Sequence, residues 1–241
     1  MDNATRALIF SAQVENVRCL ELAMTQVRRA VNDGLRKGND PQVFVQTKVY
    51  AQTFCAWAES NFSKVIHTPH GFTLAELAEV KRTWSNQSLA DGWLKAVQLG
   101  LRKVPAQRSN FVPNARQAIE RLIRQYVRDP ALLRNKIAHG QWSAALNRTN
   151  SAINQEVTAA LTSLNIVDVE RWHGGHSRLA AIVESLIESP ERTFARDYWP
   201  HLIELERFSA EAARWTLEGR IGALQAKWHR HRNRNSQALE A

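Results

Sequence analysis

Cysteine is nearly absent from this chain. Only Cys19 and Cys55 occur among 241 residues, each inside an apolar helical pattern, and they form no CxxC. That rules out a disulfide scaffold and favours a reducing compartment, so a cytoplasmic protein is expected. Long apolar runs are missing too. No stretch approaches the roughly 18–20 uninterrupted apolar residues that a membrane-spanning helix requires. Glu15, Arg18 and Glu21 interrupt the apolar run near the N-terminus, where no basic leader region precedes it. Neither a signal peptide nor a membrane partner is therefore expected. Glycine (10) and proline (7) are scarce. The chain carries no P-loop, no GxGxxG and no GxSxG, which leaves nucleotide-dependent and serine-hydrolase chemistry without support. It has no HExxH and no Cys/His zinc motif, so neither a metal nor a cofactor is expected.

What the chain does hold is positive charge and helical periodicity. The formal net charge is +9 and the pI about 10.1. Such an excess suits either a polyanionic partner or a soluble arginine-rich surface. Arginine outnumbers lysine 24 to 8, and the planar guanidinium grips phosphate bidentately where an ammonium acts as a point charge.

Apolar residues recur at helical spacing over 4–33, up to Gly34, and again from a turn at "GNDPQ" to about Phe62. In that turn Asp40 is the predicted N-cap and Pro41 the first helical position. Thr73 with Glu76 has capping-box spacing, and residues 87–103 are helical. Pro113 opens a helix through about Arg128, which "RDP" breaks. Asp129 and Pro130 restart a short helix that Gly140 stops. Residues 141–162 read either as a small β-hairpin around "RTNSA" or as more helix, the turn formers favouring the hairpin. Helix returns over 165–188, and a last helix follows "DYWPH". The expected architecture is a mainly α antiparallel helical bundle with additional C-terminal helices. A single domain is expected over 1–225, with a core of about 1–190, an extension of about 190–225 and a basic, then polar, tail over 226–241.

One segment concentrates chemistry: "LLRNKIAHG", residues 132–140. On a helix, Asn135 and His139 are i, i+4 neighbours on one face, and the long Arg134 side chain reaches toward the same edge. A cation, an amide and an imidazole are the residue types that RNA transesterification needs. A base takes the 2′-OH proton, an acid protonates the leaving 5′-oxygen, and a cation stabilises the charged phosphorane. The spacing alone proves little. Arg171–His176 and Arg196–His201 share it, and a chain this rich in arginine and histidine is expected to show about one chance match. In "RWHGGH" two glycines weaken the helix, and in "RDYWPH" Pro200 is expected to interrupt it. Only "RNKIAH" has a polar residue directly after the arginine and an uninterrupted helix. A purely structural reading also exists, in which His139 complements the helix C-terminal dipole and Arg134 and Lys136 face water.

"RNKIAH" resembles the signature of the HEPN superfamily, an arginine and a histidine four to six residues apart with a polar residue after the arginine. The likeness is sharp over about ten residues and architectural over 1 to about 190. It implies a metal-independent endoribonuclease whose motif helices meet across a homodimer, in a toxin–antitoxin or antiphage defence setting with a possible antitoxin or defence partner. Arg134 and His139 would be catalytic, and Asn135 would orient His139 or touch the scissile phosphate. Lys136 and Trp142 are candidate substrate contacts, Trp142 because it follows closely enough to wall a cleft. One motif supplies one imidazole, and a twofold interface would bring two together. The alternative is a HEPN-like module that binds RNA or a partner protein without cutting.

His67 with His70 and His173 with His176 are pairs spaced three apart, but nothing in sequence joins them into a zinc site. Tryptophans 57, 93, 142, 172 and 215 read as core or interface anchors. The basic "KWHRHRNR" of residues 227–234 reads equally as a phosphate-contacting segment and as a frayed terminus.

Overall fold

The computed structural model describes residues 1–105 and 110–239, with side chains through Arg230. Helices dominate: α1 (Asn3–Lys37), α2 (Asp40–Ile66), α3 (Leu74–Asn86), α4 (Leu89–Arg102), α5 (Phe111–Ile123), a π-turn (Arg124–Arg128), α6 (Asp129–Ala138), α7 (Gln155–Ser163), α8 (Ile166–Glu188), α9 (Phe194–Ala212) and α10 (Leu217–Leu239). No helix among the described residues is long and apolar enough to cross a membrane. The mainly α bundle expected from sequence is the fold observed.

α1 and α2 form a long helical hairpin. The first helix runs through Gly34, where the sequence suggested a stop, and ends at Gly38, whose φ of 64° is left-handed. Asn39 then caps α2 by accepting from the Gln42 N–H, so Asp40 falls one residue inside the helix it was expected to cap. The Thr73–Glu76 capping box is present as expected. α2 and α8 are the spine of the molecule. Their C-terminal halves (Phe62, Val65, Ile66; Val183, Leu186, Ile187) join α3, α4, α5 and α9 in one apolar core. The middle of α2 (Tyr50, Phe54, Trp57) and the N-terminal part of α8 (Val167, Val169) join α1, Ile137 of α6, and α7 in a second.

Three local expectations are corrected. "RDP" does not break the helix. Asp129 has helical φ and ψ, −63° and −46°, and its N–H bonds the Arg124 carbonyl five residues back. One π-turn thus carries the chain from α5 into α6, absorbing a proline that has no N–H to give. Pro200 likewise lies inside α9, which begins at Phe194 rather than after "DYWPH". The hairpin over 141–162 shrinks to one antiparallel bridge, Leu146 with Ile153, flanked by Asn147 N–H to Ala152 O (2.8 Å) and Asn154 N–H to Ala145 O (2.7 Å). Residues 155–163 are helix. The basic segment over 227–234, for which both readings stand equal in sequence, is helical and part of α10, which runs to Leu239; residues 240–241 lie outside the described residues.

Candidate active site

α6 carries the motif and ends abruptly. Gly140, at φ 76°, takes the left-handed conformation that a Cβ disfavours. Its N–H bonds Ile137 O (3.1 Å), and the Gln141 N–H bonds Lys136 O (2.9 Å). This is a Schellman end, with His139 as the C-cap just after Ala138. Asn135 and His139 are joined through the backbone, His139 N–H to Asn135 O at 3.2 Å, and both side chains are exposed. The exposed His139 imidazole makes no hydrogen bond among the described residues.

Arg134 has a different setting. Its Nη2 donates to Glu59 Oε1 on α2, a contact between two half-buried side chains. Its Nε is buried and without a partner among the described residues. It borders a cavity of about 10 Å³ with Phe54, Cys55, Tyr126 and Pro130, room for a single water. Burial pushes the Cys55 thiol up to about 12, the neighbouring Arg134 cation only partly offsetting this. Cys55 is thus a packed apolar group and no nucleophile.

The two candidate substrate contacts also hold the end of α6. Lys136 Nζ donates to Leu146 O (2.6 Å), tying the helix to the bridge segment. Trp142 folds back so that Nε1 donates to Ile137 O (2.9 Å), the same carbonyl that accepts from the Gly140 N–H. Together they make the motif turn rigid. They fix where Asn135 and His139 stand, which a catalytic side chain requires of its support.

The rival R-x4-H pairs have other duties. Arg171 Nε donates to Ala212 O (2.8 Å), and its guanidinium also bonds Trp215 O, pinning the α9–α10 joint. His176 is fully buried, against Trp93 (5.4 Å) and Trp57 (5.3 Å). Arg196 is paired with its neighbour Asp197 at 2.6 and 2.9 Å. His67 caps α2 with Nδ1 at 2.6 Å from Ser63 O. Among the described residues no group of three or more His, Cys, Asp or Glu side chains comes together as a metal site, and the two histidine pairs do not join.

Sequence reasoning missed Glu59. It lies 75 positions before Arg134, and no local spacing connects them. The only signal was weak, a carboxylate directly after the apolar run of residues 54–58 in α2.

No family model matches the chain, and searches of curated proteins and of solved structures find no match either.

Proposed function

We propose that the chain is a metal-independent endoribonuclease of the HEPN type, working as a homodimer in which two α6 helices face each other. The observation that carries this is the end of α6, where Arg134, Asn135 and His139 sit on one regular turn stopped by a Schellman cap. That geometry supports the resemblance because the residue types occur on a rigid element and not in a loop. The outer face of the same helix adds support. Leu132 is 59% exposed and shares a face, at i, i+3 and i+7, with Asn135 and His139. A second copy would cover it and bring the two imidazoles together.

In the reaction, one His139 takes the proton of the 2′-OH as its oxygen bonds to phosphorus. The other gives a proton to the 5′-oxygen as the P–O5′ bond breaks. Arg134 neutralises the phosphorane. Products end in a 2′,3′-cyclic phosphate and a 5′-hydroxyl. A toxin or defence role, with an antitoxin or other partner, belongs to the same proposal through the resemblance.

The Arg134–Glu59 pair favours a second reading, since a phosphate would have to compete with a carboxylate already in place. In that reading the motif is a binding surface for RNA or a protein. RNA cleavage in EDTA by the unaltered chain, His139→Ala and Arg134→Ala separates the two. Cutting with cyclic-phosphate ends that both substitutions abolish supports the nuclease. Binding of RNA without cutting by any of the three proteins overturns it in favour of the binding module.

A further inference from the structure

α10 stands apart from the bundle. It is 23 residues long, about 35 Å at the usual rise, and among its residues described with side chains, 217–230, none is buried. Its first half is anchored. Arg220 bonds Glu170 (2.9 Å) and Asn32 (3.2 Å), and Leu217 packs on the second core. Further along, the Arg36 guanidinium lies over the Trp228 ring at 4.3 Å. Arg36 lies in the final turn of α1.

The character of α10 changes along its length. From Gly219 to Leu239 the sequence holds Arg220, Lys227, Arg230, Arg232 and Arg234 and no carboxylate. Lys227, Trp228, His229 and Arg230 are exposed, and Trp228 keeps 49% of its surface. Between residues 229 and 237 no apolar side chain occurs. A helix that lies in a membrane interface needs an apolar face to insert, and this one has none where the charge is highest. Cations interspersed with an open indole are what single-stranded RNA asks for, phosphates meeting the charge and a base stacking on the ring.

We propose that the distal half of α10, from Lys227 through Arg234 with Trp228 as its stacking platform, is an arm that holds single-stranded RNA. Arg36 keeps the indole plane fixed from the other side. The arm shares with the proposed function the premise that RNA is the ligand, but it does not require that RNA be cut.

The test uses the full chain carrying His139→Ala, so that binding is read apart from cleavage. A fluorescein-labelled single-stranded RNA of about 20 nucleotides, long enough to span several binding sites, is titrated at several salt concentrations. Changing Lys227, Arg230, Arg232 and Arg234 together to Gln is expected to make the slope of log K against log salt shallower by about 2–3, at about 0.7 for each phosphate no longer neutralised. Trp228→Ala is expected to weaken binding about tenfold with little change in slope. Unchanged affinity and slope in both variants overturn the arm. So does a quadruple variant that loses binding to phosphatidylserine vesicles while binding RNA as before. RNA binding that falls as expected in a protein that never cuts RNA supports the arm and overturns the nuclease alone.

Discussion

Arg134 and His139 share one helix turn, yet they are held in opposite ways, and that difference sets what each would do. His139 is at the surface, its ring making no hydrogen bond among the described residues. Arg134 is committed to Glu59 across the α2–α6 contact. Under the nuclease reading Glu59 screens a cation that must receive phosphate. Glu59→Gln is therefore expected to lower KM for RNA a few-fold while costing about 1 kcal/mol of stability, since the pair is partly exposed. Chemical denaturation and steady-state kinetics read the two effects, and an unchanged KM would detach Arg134 from the phosphate. Away from the site, burial lowers His173 and His176 to about 4, helped at His173 by Arg28 and at His176 by His173. Their folded values lie below the ordinary 6.5, so the unfolded chain binds protons first as pH falls. Their stability contribution is intact above about 6.5 and is lost between about 6.5 and 4, at up to about 1.4 kcal/mol per pH unit for each ring. Urea midpoints at several pH values should show that slope, and His173→Phe with His176→Phe should flatten it.

At the scale of elements, the π-turn is the feature that sequence could not disclose. A proline after "RD" reads as a helix break because its missing N–H and its ring disturb the preceding turn. Here the wider turn absorbs the disturbance, and the Tyr126 carbonyl, four residues before Pro130, meets Nδ1 of His176 at 3.3 Å. That carbonyl can only accept, so Nδ1 carries the proton and donates. The partner comes from a helix 50 residues away, and no local pattern encodes it. The "GG" of α8 misleads for the same reason. Gly174 and Gly175 do not weaken α8; they admit neighbours. A Cβ on Gly175 would lie 2.1 Å from the Tyr126 ring. Gly175→Ala is thus expected to destabilise by about 1–3 kcal/mol through overpacking. Gly222→Ala, on the open side of α10 with nothing within 4 Å, should stabilise by about 0.5–1 kcal/mol. Thermal or denaturant melts of the two variants give opposite signs if the packing is as described. What sequence did disclose was local: the Thr73–Glu76 box, the Gly140 stop, the spans of α4 and α8, and the turn of helix that holds Arg134, Asn135 and His139 in order. Glu59, the duties of Lys136 and Trp142, and the continuity through Pro130 and Pro200 depend on tertiary contacts.

For the whole molecule, the question is how many chains make one site. A protomer of 27.4 kDa offers one exposed imidazole on α6, whereas transesterification uses an acid and a base at once. A twofold pairing of α6 would supply both and would cover Leu132. The consequence is measurable without knowing the natural RNA. Unaltered chain and His139→Ala chain are mixed, allowed to exchange, and assayed for cleavage at constant total protein. If one dimeric site needs both imidazoles, only dimers of two unaltered chains cut. Activity then follows the square of the unaltered fraction, and an equal mixture retains about one quarter, as random pairing in a closed dimer requires. If each protomer cuts alone, the same mixture retains one half and dilution leaves the activity per chain unchanged. The charge-neutral arm variant separates holding from pairing in the same assay. It should lower the activity of every mixture by a common factor and leave the quadratic dependence intact if the proposed arm on α10 holds RNA without contributing to an α6 interface.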